Sequence, residues 1–190
     1  MVRIGFICEG KTEKNIIESI NFQQWLRLNG FECLLPIIDA KGNGNLLPHR
    51  IEALRQELLD RNVQKIIVLT DLDTDSCISL TRQRISERDD QIIIVAVKQI
   101  ESWFLGDTPT LQALLNDSTF KFDQPEQEVN PFSTLQHLLL AKTNRGVGSK
   151  SILVSRMLKY GFTVENAARH PNCSSANYFL TKLQTLASAN

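Results

Sequence analysis

Short apolar runs punctuate the first half of the chain, at Ile4 to Cys8, Phe31 to Asp39, Lys65 to Thr70 and Gln91 to Lys98. Runs of this length, apolar at nearly every position, are the pattern of strands buried on both faces. Between them the apolar residues fall at helical spacing. Ile16, Ile17, Ile20, Trp25 and Leu28 predict a helix over 13–28, which Asn29-Gly30 stops. After the flexible loop Lys41-Gly42-Asn43-Gly44-Asn45, Ile51, Leu54, Leu58 and Leu59 predict a second helix ending near Asn62. A polar helical stretch over about 77–88 precedes the fourth strand. The order β-α-β-α-β-α-β predicts an α/β fold, a Rossmann-like, mostly parallel four-stranded sheet flanked by helices with right-handed crossovers.

Beyond Glu101 the texture changes. Ser102 to Leu115 reads as helical but broken at Asp107-Thr108-Pro109, and Asn116 to Pro131 is a polar, proline-containing connection. Helical patterns follow over 132–141, 150–160 and 174–186. They predict a C-terminal helical appendage over 108–190, packed on a core over 1–107 as one compact unit. No internal repeat or low-complexity tract interrupts either part.

With 190 residues and 42% hydrophobic content, the chain has enough apolar material for a sizeable core. It carries no leader pattern, no apolar run long enough to span a bilayer and no lipidation motif, so a soluble cytoplasmic protein is expected. Cys8, Cys33, Cys77 and Cys173 have no paired spacing, which points to buried thiols rather than a zinc site or a disulfide framework. The net charge is zero but unevenly spread. Residues 141–190 hold seven Lys or Arg against one acid, Glu165, a balance of +6, so residues 1–140 balance to −6. A carboxylate-rich first part and a basic last part suit a polyanion held beside metal; two complementary surfaces are the equal alternative.

The candidate chemistry lies at the strand tips. The first strand runs into Glu9-Gly10-Lys11-Thr12-Glu13 and the third into Asp71-Leu72-Asp73. In parallel sheets ligands gather beyond the carboxyl ends of the strands, where Glu9, Asp39 and Asp71 all fall. If the first and third strands are neighbours, Glu9 faces Asp71 and Asp73. Clustered carboxylates repel, so they call for a cation, and oxygen ligands suit Mg²⁺ or Mn²⁺. With a phosphodiester as substrate, the metal would neutralise developing charge. The bland alternative is that Asp71, Asp73 and Asp75 cap the following helix.

Glu9-Gly10-x-Thr12-Glu13 after a first strand and Asp71-x-Asp73 after a third resemble the TOPRIM domain of topoisomerases, primases and OLD-type (overcoming lysogenization defect) nucleases. The chain is most similar to the small stand-alone TOPRIM-like bacterial proteins found near genome-defence genes. The loop Lys41 to Asn45, the segment Ile100 to Asp107, Lys150 opening a helix and Asn172 to Phe179 extend the resemblance over nearly the whole chain. It implies a Mg²⁺- or Mn²⁺-dependent nuclease or phosphotransfer domain acting on nucleic acid. Glu9, Asp71 and Asp73 would be metal ligands, with Glu9 also a general acid or base. Glu13 and Glu101 would assist, and Lys150 would stabilise the scissile phosphate. Gly10, Lys11 and Arg145 complete the expected substrate-binding set. Cys173 to Asn177 departs from the serine-rich pattern of the resembled proteins. A partner ATPase acting in trans, a homodimer, or a non-catalytic partner-binding scaffold are further expectations; a membrane partner is not.

One competing motif stands in the same place. Gly5 to Thr12 spells the Walker A pattern, with Asp71 as a Walker B acid, so a P-loop NTPase or kinase is the alternative. The physical fit is poor, because Phe6-Ile7-Cys8 reads as strand and Glu9 would push negative charge at the phosphates. Gly146 to Ser151 misses the Walker spacing and reads as a loop leading a helix. His49, His137 and His170 are scattered and read as surface or packing residues, and Trp25 and Trp103 as core. Arg145, Arg156, Lys159 and Arg169 are candidate phosphate contacts, or simply a solvated face.

Overall fold

A computed structural model describes residues 1–188. They divide into two compact units, one holding Met1–Val95 with the chain's end from Lys182, the other Ala96–Thr181. The division falls before the 107/108 boundary expected from the sequence. The helix that follows the last strand packs with the later helices, which carries it into the second unit.

The first unit is built on a sheet of five strands, β1 (Val2–Cys8), β2 (Phe31–Cys33), β3 (Ile38–Asp39), β4 (Lys65–Asp71) and β5 (Gln91–Ala96). The order is β2-β1-β4-β5, with β3 also pairing β1, and every pairing of β1 is parallel. This is the α/β architecture predicted. One strand is divided: the 31–39 run pairs β1 first through Phe31–Cys33 and again through Ile38–Asp39. Pro36 lies between the two pieces and has no N–H to give the ladder.

Side-chain alternation along β1 feeds two apolar layers. Ile7 joins Leu58 of α3 (Pro48–Leu59), Ile66, Val68, Ile93 and Val95 in one cluster. A Cβ at Gly5 would lie 2.8 Å from Leu58 Cδ2, so glycine is what lets α3 approach this strand. On the other face Phe6 meets Phe22 edge-on, at 6.4 Å between ring centroids, and Phe22 stacks on Trp25 at 5.6 Å.

The predicted 13–28 helix is two helices, α1 (Lys11–Glu18) and α2 (Ile20–Leu28). Ser19 sits between them in extended conformation, and its hydroxyl accepts the Phe22 N–H as the cap of α2. The break re-phases the buried face. Phe22 and Leu26 are buried, whereas Ile20 and Leu28, placed on the apolar face by the sequence pattern, are 82% and 78% exposed. Helix α4 (Ile78–Ile85) completes this unit's main elements.

The second unit is helical: α5 (Glu101–Gly106), α6 (Thr108–Leu115), α7 (Pro131–Thr143), α8 (Lys150–Lys159), α9 (Val164–Ala168) and the first part of α10 (Ser174–Ser188). The expected break at Asp107 is a cap. Its Oδ1 accepts the Thr110 N–H at 2.9 Å, and Oδ2 accepts the Thr163 N–H at 3.0 Å, which ties α6 to the start of α9. The short α9 was not anticipated by the sequence pattern. Asn130 and Ser149 cap α7 and α8 in the same manner.

Candidate functional site

Strands β1 and β4 are parallel neighbours in the register Cys8↔Leu69. The Glu9 N–H continues the ladder to the Leu69 carbonyl at 2.9 Å, so Glu9 stands at the carboxyl end of β1 beside the end of β4. Its Oε2 accepts the Thr70 hydroxyl at 2.5 Å and the Asp71 backbone N–H at 3.1 Å. The second oxygen, Oε1, takes no hydrogen bond from the described residues. Glu9 is half-buried and Asp71 is buried. The glycine-rich loop is anchored here too, since the Gly42 N–H donates to the Glu9 carbonyl at 2.8 Å and Asp39 Oδ1 accepts the Lys41 N–H at 2.8 Å.

Gly10 is the N-cap of α1, and Glu13 is the acid of its first turn, 4% exposed. A Cβ at Gly10 would stand 3.4 Å from Glu13 Oε2, so that carboxylate folds back over the helix start, where the helix dipole favours it. Lys11 is exposed. Asp73 is exposed at the turn after β4 with φ +48, a conformation aspartate tolerates. Asp75 is the helix-side acid: its Oδ2 accepts Thr81 Oγ1 at 2.8 Å and pairs with Arg84 Nη2 at 3.0 Å. The Thr81 hydroxyl foremost, then Arg84, hold its carboxyl below the usual range. Asp75 thus braces α4 through side chains and does not cap it, since the N-cap is Cys77 and no side-chain cap bond is made there among the described residues, while Asp71 belongs with Glu9.

Cys8, one residue before Glu9, is fully buried, and burial pushes its thiol well above the ordinary range, with Glu13 and Asp39 adding to the effect. Burial likewise raises Cys33 to about 11. Neither is a thiolate nucleophile. Gly5 to Cys8 are strand residues, each with a Cα partner on β4, so this segment does not form the phosphate-wrapping loop that the Walker spelling describes.

Glu101 and Lys150, both in the second unit, are paired with each other. Glu101 is fully buried at the start of α5, and Lys150 Nζ lies 3.1 Å from its Oε2 and 3.0 Å from its Oε1. A buried carboxylate is costly unless it is paired, and Lys150, with 43% of its side chain exposed, is that partner. Arg145 is exposed on the connection between α7 and α8; its carbonyl accepts Arg156 Nη1 at 2.9 Å.

Two polar groups that organise the structure carry no distinctive signal in the sequence pattern. Thr70 was one, visible only as a polar residue ending an apolar strand. Glu126 was another: its carboxylate accepts N–H and O–H from both Ser174 and Ser175, capping α10. Ser175 Oγ in turn accepts Trp103 Nε1 at 2.7 Å. The departure from a serine-rich pattern at 173–177 thus coincides with a helix cap.

Among the described residues, no three His, Cys, Asp or Glu side chains are gathered as a metal cage. Among the same residues, no helix is long and apolar enough to cross a membrane. No protein-family model, no curated protein and no solved structure matches the chain.

Proposed function

We propose that the chain is a TOPRIM-like, Mg²⁺- or Mn²⁺-dependent nuclease or phosphotransfer domain acting on nucleic-acid phosphodiesters. The observation that carries this reading is the junction of Glu9 with Asp71 at the ends of adjacent parallel strands, where sheet-based ligand sites lie. The donors fit the metal class. All are hard carboxylate oxygens, and Mg²⁺ keeps several waters while taking only one or two protein carboxylates, so a cage of three is not required. Glu9 Oε1, Asp71 and Asp73 would hold the ion, one or two of them directly and the rest through its waters. When bound, it neutralises phosphoryl charge and lowers the pKa of a coordinated water.

The chain's own groups supply the rest. Thr70 Oγ1 and the Asp71 N–H fix the Glu9 carboxylate in one orientation, leaving Oε1 outward as acceptor for a proton or a ligand. Glu13, the acid of α1's first turn, lies beside Gly10 and favours the helix start through its dipole. In the second unit Glu101 positions Lys150, to which we assign the phosphate contact. The +6 balance of residues 141–190 supports a polyanionic substrate.

The test is nicking of supercoiled plasmid and cleavage of RNA in Mg²⁺ or Mn²⁺. Activity should vanish in chelator and fall at least about a hundredfold in Glu9→Gln and in Asp71→Ala. Full activity surviving in the double variant would sink the mechanism. A partner-binding scaffold without catalysis is the second reading, favoured by the exposed Ile20 and Leu28 on α2. It predicts no heat of Mg²⁺ or Mn²⁺ binding at millimolar concentration in a folded protein.

A further inference from the structure

The second unit contains a cleft of about 660 Å³ that no role above uses. Its wall draws on the α5–α6 junction, the connection after α6, and the segment that joins α9 to α10. Lys121, Arg169 and His170 line it, against a single lining carboxylate, Asp123. Lys121 makes no ion pair with the described residues.

The wall is braced before any ligand arrives. Asn172 Nδ2 donates to the Asp123 carbonyl at 2.8 Å, tying the Lys121 side of the cleft to the Arg169 side. The Asn172 N–H donates to His170 Nδ1 at 3.1 Å, which makes Nδ1 the acceptor and leaves Nε2–H as the ring's donor. Arg169 Nη1 donates to Asn166 Oδ1 at 3.2 Å, and that single bond leaves most of its five N–H donors for a ligand. Asn166 is itself held, its Nδ2 lying 3.4 Å from the buried Asp107 carboxylate. Pre-positioned side chains of this kind reduce the entropy lost on binding.

An ammonium, a guanidinium and an imidazole N–H outnumber the one lining carboxylate, Asp123, and Glu165 behind Arg169, and so select an anion with several acceptor oxygens. The volume far exceeds a bare phosphate and falls in the range of small-molecule sites. We propose that this cleft binds a phosphomonoester of mononucleotide size. Lys121 and Arg169 take the phosphate, His170 Nε2–H donates to it, and Asp123 accepts from hydroxyl groups of the remainder. The site is independent of the Glu9–Asp71 junction and stands whether or not that junction binds metal.

The experiment is an NMR titration of the full chain, following the Arg169 side-chain and His170 ring signals. The probes are AMP and GMP, with adenosine, guanosine and inorganic phosphate as separate arms. A mononucleotide should give saturable shifts at both residues. The matching nucleoside, and inorganic phosphate alone, should each bind at least about tenfold more weakly. Lys121→Ala with Arg169→Ala should abolish the shifts, while Lys159→Ala, exposed on α8, should not alter them. Because Lys121 and Arg169 are exposed, the double variant should keep its far-UV circular dichroism and melting point. Absence of saturation up to about 10 mM nucleotide would overturn the proposal. So would equal binding of nucleoside and nucleotide, equal binding of inorganic phosphate and nucleotide, or undiminished shifts in the folded double variant.

Discussion

Replacing Glu126 by alanine should destabilise the second unit well beyond an ordinary surface change. The carboxylate accepts the Ser175 N–H at 2.7 Å and Oγ at 2.5 Å, both part-buried, and the Ser174 N–H at 3.0 Å and Oγ at 2.7 Å, both exposed. Hydrogen bonds to a charged acceptor contribute about 1.5–3 kcal/mol each when water cannot replace the partner. The Ser175 pair meets that condition and the Ser174 pair does not, so Glu126→Ala should cost about 3–6 kcal/mol. Ser175→Ala should cost about 2–5 kcal/mol, because it strips the acceptor from Trp103 Nε1 at 2.7 Å and the Val97 N–H at 3.2 Å. Ser174→Ala should stay under about 1 kcal/mol. Guanidinium unfolding, followed by Trp103 fluorescence in a Trp25→Phe background, measures all three. The Glu126→Ala/Ser175→Ala double variant should lose less than the two single losses combined, since both remove the Ser175 Oγ–Glu126 contact. Strict additivity, or a Glu126→Ala cost below about 0.5 kcal/mol, would refute this reasoning.

Asp107 is fully buried, and burial raises its carboxyl, against the opposing Thr110 and Thr163 N–H bonds. A carboxyl raised on folding contributes stability below its unfolded pKa and loses that contribution as pH rises through the folded value. Wild type should therefore gain on Asp107→Asn as pH falls from about 7 to about 4; a gap that widens in the other direction contradicts the burial argument. Gly5→Ala should cost about 1–3 kcal/mol in denaturant because its Cβ meets Leu58 and Val63, whereas Lys11→Ala, on an exposed residue, should leave stability unchanged. Alkylation of the native protein, read by peptide mass spectrometry, should label the exposed Cys77 first and leave the buried, raised thiols of Cys8 and Cys173 protected. Labelling of Cys8 at the rate of Cys77 would show that the β1 tip opens.

The sheet was legible because β1, β4 and β5 are apolar on both faces, a pattern that parallel strands require. Their order was not legible: the meeting of Glu9 and Asp71 was conditional on the first and third strands being neighbours, which the parallel β1–β4 pairing supplies. Legibility failed where a single polar residue overrode periodicity. Ser19 caps a new helix within what reads as one continuous apolar spacing, and Ile20 and Leu28 turn outward as a result. The Walker spelling misled only as letters, since Phe6, Ile7 and Cys8 have the apolar character of the strand they form. Partners distant along the chain were beyond pattern reading. Thr70 reaches Glu9 across 61 positions, and Glu126 reaches Ser174 across 48, each through a register that only the folded chain defines. Lys150 was expected as a phosphate contact; its pairing with Glu101, 49 positions away, was not visible in either local segment.

The central claim is that the Glu9–Asp71 junction holds a divalent ion. Anomalous diffraction from a crystal soaked in Mn²⁺ tests it without reference to substrate or turnover. The account predicts a manganese peak within about 2.3 Å of Glu9 Oε1 that also touches an Asp71 or Asp73 oxygen or their bridging water, and that disappears in Glu9→Gln. A lattice that takes up Mn²⁺ elsewhere while the density at Glu9 Oε1 stays empty would contradict it.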